Sequence, residues 1–247
     1  DSVFDDNESM RWSVWKNYNG EKMLAHVREK VFPFLKNLKP NGRIKLDLGN
    51  SNFQIGSPIL LQDAVQVIDD LKISDQNYDT QGDIYEYITS HLKESGLNGG
   101  FRTPRHIIRM MVGLLDPDVN QRICDPACGT GGFLINAYLH ILKKYTSKDL
   151  IEIDKDGVAS NLIGDNLSEK EREFLLNNQF YGFDFAIPMI QFSQMNMILH
   201  GFRSPNIKYG SSVGKQFDQN EEYDIIFANP PFAGNLNKSE LNEDFSV

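Results

Sequence analysis

Residues Arg122–Leu142 constrain the fold more than any other stretch of the chain. Arg122-Ile123-Cys124 is a short apolar run ending at Asp125, and Pro126-Ala127-Cys128-Gly129-Thr130-Gly131-Gly132 follows. Phe133, Leu134, Ala137, Tyr138, Ile141 and Leu142 then recur at helical spacing. Strand, glycine turn and helix in succession specify a unit whose next strand runs parallel, because the intervening helix covers a sheet face. The texture repeats downstream. Ser168 and Glu171 form a capping box for a helix reaching about Asn177. Gln179–Phe183 is a strand ending at Asp184, and a helix from Pro188 to His200 closes on Gly201. Ile207–Tyr209 and Tyr223–Ala228 supply two further strands. Upstream, Thr103-Pro104 predicts a helix start, with Thr103 as N-cap and Pro104 at the first helical position. Residues 146–165 show no periodicity and are expected to be irregular. From residue 101 onward the chain therefore reads as α/β with a parallel sheet.

The preceding residues have a different texture. Leu24, Val27, Val31, Phe34, Leu35 and Leu38 form a core-facing stripe, in which Pro33 kinks or divides the helix. Residues 41–58 are rich in Asn, Gly and Ser and read as a loop. Leu61, Val65, Ile68 and Leu71 mark another helix, and Tyr85, Ile88 and Leu92 a third. The three glycines within Gly96–Gly100 mark a boundary between a helical domain and the α/β domain.

No apolar run approaches the roughly 18 residues of a membrane span. Cys124 and Cys128 lack a second cysteine pair, which argues for plain buried thiols in a reducing compartment rather than a zinc site. His26, His91, His106, His140 and His200 have no ligand spacing, so no metal is expected. The net charge of −9 argues against non-specific nucleic-acid binding by the whole surface. Residues 101–144 nevertheless carry six Lys/Arg against three Asp, which is either a basic island or a solvated face.

Three strands end on a polar group, at the sheet edge where open α/β folds bind ligands. After Ala228 two prolines stop the strand, because neither can donate to a ladder. Asn229-Pro230-Pro231-Phe232 then offers an amide carbonyl, fixed backbone carbonyls and an aromatic face. That set could grip an exocyclic amino group on a planar ring, or could be merely a Pro-terminated strand entering a loop. The spacing Gly129-x-Gly131-Gly132 differs from a dinucleotide fingerprint, and Asp125 beside it would repel a pyrophosphate but suits an ammonium group. Asp184 is placed to accept from ribose hydroxyls. An amino-acid-bearing nucleoside, S-adenosylmethionine, meets both demands, against the plainer readings of a helix cap for Asp125 and a surface carboxylate for Asp184.

Four segments, in order and spacing, resemble the modification subunit of type I restriction–modification systems, which are N6-adenine DNA methyltransferases. They are Phe101-Arg102-Thr103-Pro104-Arg105, Asp125–Phe133, Met195–Gly201 and Asn229–Phe232. Gly82–Tyr87, Arg11-Trp12-Ser13 and Val31–Phe34 also fit. The resemblance implies a helical domain over residues 1–98 and a Rossmann-like class I methyltransferase domain over 99–247. It implies that Thr103 and Pro104 line the methionine end of the cofactor, that Asp125, Cys128, Gly129 and Gly131 form its loop, and that Asp184 holds the ribose. Phe101, Ala127, Thr130 and Phe185 complete the implied cofactor-binding set. Asn229 and Pro230 would accept from the adenine N6 amino group, beside Pro231, while Phe232 stacks on an adenine flipped from the duplex. The implied partners are double-stranded DNA, a second modification subunit and a specificity subunit, with a restriction subunit as a further partner, in the cytoplasm. Two positions depart from the pattern: Gly100 stands where Gln or Glu is common, and Tyr209-Gly210-Ser211-Ser212 supplies hydroxyls where an acid is common.

Asp125 to Asn229 leaves no room for a target-recognition insert, which is expected after residue 247 or in another polypeptide. Only 15 residues follow Phe232, so the sheet is expected to be cut short after its fourth strand and the native polypeptide to continue. A protein-glutamine or RNA methyltransferase, and a catalytically incomplete scaffold fragment, stay open as other readings.

Overall fold

The computed structural model describes residues 7–37, 52–72, 84, 103–154, 157–212, 214 and 223–230. The chain divides into two units, residues 1–77 and 78–247. The boundary expected at Gly96–Gly100 lies outside the described residues, as does the helix predicted near Tyr85–Leu92 apart from Ile84.

The first unit is helical. A short 3-10 turn (Glu8–Met10) precedes α1 (Trp12–Trp15), α2 (Gly20–His26), α3 (Phe32–Asn37) and α4 (Pro58–Asp70). Asn19 caps α2 by accepting from the Lys22 N–H, and Ser57 caps α4 by accepting from the Leu60 N–H. Between α2 and α3 the backbone widens into a π-helical turn, Val27–Val31. Pro33 stands one residue further on, after Phe32; it has no N–H to give, and its ring crowds the carbonyl four residues back, so the preceding turn opens and the helix runs on. Trp15, Met23, Leu24, Val27, Val31, Leu61 and Val65 form the core. Trp12 donates its indole N–H to Asp69 Oδ1 (2.9 Å), and Lys16 pairs with the same carboxylate (2.8 Å).

The second unit contains α5 (Arg105–Leu115), β1 (Ile123–Asp125), α6 (Gly132–Lys144), β2 (Glu152–Ile153), β3 (Ala159–Ser160), α7 (Glu169–Asn177), β4 (Phe180–Asp184), α8 (Ile187–Leu199), β5 (Asn206–Tyr209) and β6 (Ile225–Ile226). The main sheet has the order β5-β4-β1-β6 and is parallel throughout. The chain moves outward from β1 through β4 to β5, then returns to the other side of β1 as β6. That reversal creates a switch point between β1 and β6, the position at which open α/β sheets leave a crevice for ligands.

Sequence-level signals account for the element ends. The Ser168–Glu171 capping box is formed in both directions. Gly201, with φ +93°, ends α8 in a Schellman turn: Phe202 N–H reaches Met197 O (3.1 Å) and Gly201 N–H reaches Ile198 O (3.0 Å). The region 146–165 is less irregular than expected, because β2 and β3 form a two-residue antiparallel ladder. The buried core includes Ile108, Val112, Ile123, Leu134, Ile141, Phe180, Met197, Ile207 and Phe227.

Candidate active site

The carboxyl ends of β4, β1 and β6 bring Asp184, Asp125 and Asn229 to one edge of the sheet, in that lateral order. Registration fixes this arrangement: Asp125 lies opposite Gly182 of β4, and Cys124 opposite Ile226 of β6. Phe227 N–H continues the ladder to Cys124 O (2.9 Å), and the chain then leaves the sheet through Ala228, Asn229 and Pro230. Phe227 is fully buried and stacks on Phe133, with ring centroids 5.3 Å apart. Phe133 opens the helix after the glycine turn, so one aromatic pair ties the β6 exit to the βα turn.

The turn is built from its glycines and from α8. Gly131 has φ +81°, and a Cβ there would lie 2.7 Å from Ser193 Oγ, so glycine meets both a backbone and a space requirement. One helical turn further along α8, the buried Asn196 donates from Nδ2 to Thr130 O (3.0 Å). The Asn196 backbone carbonyl is in turn bonded by the buried His200 ring (2.8 Å). Ser193 and Asn196 were not among the sequence-predicted site residues. Small polar groups three apart, on a helix whose other polar residues are Gln191 and Gln194, are the signal that points to them.

Both acids are buried. Ala127 N–H donates to Asp125 Oδ1 (3.1 Å). Burial nevertheless pushes the Asp125 carboxyl up to about 7, and the nearby Asp184 charge adds to the rise while the Ala127 bond opposes it. Asp184 accepts from Gly129 N–H (3.0 Å) and Ala186 N–H (2.8 Å), which locks its carboxylate across β4 and the turn. A carboxylate has about four lone-pair positions, so two remain for a ligand. Cys128 is buried, and burial with the two acids pushes its thiol well above the ordinary range, so it is a packing residue.

Asn229 is half-buried, and its Nδ2 donates to Thr103 Oγ1 at 2.7 Å. Thr103 does not cap α5 as its sequence position predicts. Pro104, with ψ 140°, occupies the N-cap position, its carbonyl accepting from Ile107 and Ile108 N–H, and this displaces Thr103 one residue out. Thus Thr103, Asp125, Ala127, Cys128, Gly129, Thr130, Gly131, Asp184, Asn229 and Pro230 lie in the loops at the carboxyl edge or at the strand ends that supply it. Phe185, immediately after β4, is 62% exposed. Phe101, Pro231, Phe232 and Gly100 lie outside the described residues. Ser211 follows β5 and is exposed.

A family model for N-6 DNA methylases matches residues 76–247. The chain belongs to the N-6 DNA methylase family. Similar members are methylase subunits of type I restriction enzymes. That of EcoEI from Escherichia coli is 30% identical over 90% of this chain and 44% of its own length. That of MjaVII from Methanocaldococcus jannaschii is 27% identical over 98% of this chain and 38% of its own. The chain therefore spans less than half the length of these relatives. Among solved structures, a candidate type I modification subunit from Vibrio vulnificus superposes with a TM-score of 0.70 at 23% identity, covering 98% of this chain and 52% of that one. A chain from a study of type I restriction–modification complex assembly gives 0.67 at 24% identity, covering 94% and 45%. These likenesses establish the Rossmann-like fold of this member of the N-6 DNA methylase family. Among its described residues no helix is long and apolar enough to cross a membrane.

Proposed function

We propose that the chain carries the methyl-transfer site of a DNA adenine-N6 methyltransferase subunit in a type I restriction–modification system. In this reading the helical domain covers residues 1–98 and the transferase domain 99–247. The observation that carries it is the meeting of Asn229 with Thr103, beside two buried acids, at the sheet's switch point. The residues present fit S-adenosylmethionine. A buried carboxyl held near 7 by burial and a neighbouring acid gains from a cationic partner, and the cofactor offers an ammonium group and a sulfonium.

On this reading Asp184 holds the ribose hydroxyls with its two remaining lone pairs, and Asp125 faces the cationic end. Gly129 and Gly131 let the ligand approach the backbone, with Cys128 packed beneath, and Thr103 and Pro104 line the methionine end. Phe101, Ala127, Thr130 and Phe185 complete the binding set. The bound cofactor supplies an electrophilic methyl group on sulfur. Asn229 through Oδ1 and Pro230 through its carbonyl accept from the adenine N6–H groups, turning the nitrogen lone pair toward that methyl and favouring transfer by positioning and electrostatics. Phe232, next to Pro231, stacks on the extruded base; such stacking contributes about 1–3 kcal/mol, against a few kcal/mol for extrusion. The partners on this reading are double-stranded DNA, a second modification subunit and a specificity subunit, with a restriction subunit joining the complete system in the cytoplasm.

The test is transfer of a labelled methyl group to adenine in unmethylated genomic DNA by the full-length protein with its specificity partner. Asn229→Ala should lower the rate constant by roughly two to three orders of magnitude, as loss of a preorganised polar group does. Undiminished transfer by that variant would remove Asn229 from the mechanism. Transfer to a protein glutamine or to RNA, with none to adenine in DNA, would replace the proposed substrate.

A further inference from the structure

We propose that Thr103 is a positioning residue for the transfer step, setting which end of the Asn229 amide faces the adenine. The inference rests on the acceptor role proposed for Asn229. A primary amide is nearly symmetric in shape but not in chemistry: turning it over exchanges an acceptor for a pair of donors. An adenine amino group presents hydrogens, so only the orientation with Oδ1 outward is productive. The turned amide would set donors against donors. In the structure Nδ2 is committed to Thr103 Oγ1 at 2.7 Å, across 126 positions of sequence, which leaves Oδ1 as the end available to a base.

Three features make Thr103 suited to this choice. Pro104 holds the N-cap place of α5, so the Thr103 hydroxyl is not drawn into capping the helix. Asn229 is followed by Pro230, which restrains its backbone to extended geometry. A hydroxyl has one hydrogen and two lone pairs. With its hydrogen given to an anionic acceptor at the methionine end of the site, Thr103 has only lone pairs left for Asn229, and the amide must approach with its nitrogen. An occupied donor site thereby holds the amide in the productive sense that the structure already shows.

Thr103→Val keeps the shape and removes the hydroxyl; Thr103→Ser keeps the hydroxyl. Both would be made in the full-length protein with its specificity partner. Methyl transfer to adenine DNA would be followed at saturating cofactor and DNA, and cofactor affinity by calorimetry. Thr103→Val should lower kcat by about tenfold or more, the ratio that loss of one net hydrogen bond in the transition state produces. Thr103→Ser should restore most of it. In an Asn229→Ala background the valine substitution should lower kcat no further. A weaker cofactor affinity with unchanged kcat would make Thr103 a cofactor contact only and overturn the proposal. Equal losses in the Val and Ser variants would reduce it to packing and overturn it as well. Absence of adenine methylation by the unsubstituted protein is a separate result: it would remove the reading of the site itself.

Discussion

At the scale of the residue, Asp125 makes the sharpest prediction. Its carboxyl is raised by burial from an ordinary value of 3.8 to about 7, so the fold binds a proton that the unfolded chain releases at much lower pH. The stabilisation from that proton is complete below about pH 4 and is lost as pH rises through about 7. Asp69, Asp116, Asp165 and Glu171 are shifted the other way, chiefly by hydrogen bonds from Lys16, His140, Ser147 and Ser168. Asp118 is also lowered, its burial being outweighed by the combined hydrogen bonds from Lys144, Tyr145 and the Val119 N–H and by the Lys144 charge. Their stabilisation is present above the ordinary carboxylate range and fades only in acid. Between pH 5 and 8 the Asp125 effect therefore stands apart from theirs. Urea midpoints at those two pH values should fall for the native protein and fall less for Asp125→Asn. An equal fall in both would place the responsible group elsewhere. A cationic ligand reverses the sense of the shift, since it favours the carboxylate, so cofactor binding near pH 7 should release a proton measurable by calorimetry in buffers of different ionisation enthalpy.

At the scale of the element, the glycine turn depends on α8 as much as on its own sequence. Gly131→Ala meets two separate obstacles: a left-handed φ, costing roughly 1–2 kcal/mol for a non-glycine residue, and the hydroxyl of Ser193. Adding Ser193→Ala should recover only the steric part. A double variant as stable as the parent would show that the backbone there is not strained by alanine; thermal melts of the four proteins decide the matter. Much of this element was legible beforehand. The glycines, the apolar stripe from Phe133 to Leu142, the capping box at Ser168 and the Gly201 stop each act locally, and local rules found them. The β2–β3 ladder was not legible, because Glu152 and Ile153 are both exposed and leave no burial alternation to read. The Thr103–Asn229 bond was not legible either: local capping rules assign Thr103 to its own helix, and only the tertiary fold brings it to a residue 126 positions away. The clamp from Asn196 to Thr130 is of the same kind.

At the scale of the whole molecule, two separate cores imply two separable stabilities. Trp12 and Trp15 are the two tryptophans of the chain, and both lie in the first unit. Indole fluorescence therefore reports that unit, whereas far-UV dichroism reports both. Leu61→Ala removes a side chain that is 5% exposed from the first core and should destabilise that unit by about 2–5 kcal/mol. The fluorescence transition should move to lower denaturant while a second dichroism transition stays in place. A single transition moving in both signals would mean one cooperative body. In the second unit the sheet has a further consequence. Neighbouring strands lie about 4.8 Å apart, so the outer two of three adjacent strands are roughly 10 Å from each other. On the roles proposed for Asp184 and Asn229, β4 and β6 act as the two jaws of a gauge with β1 between them. Main-chain hydrogen bonds set that opening, and no side-chain replacement along the edge can widen it. On those roles the distance between the donor's ribose and the acceptor base is thus written in the backbone, while the side chains decide only how firmly each is held.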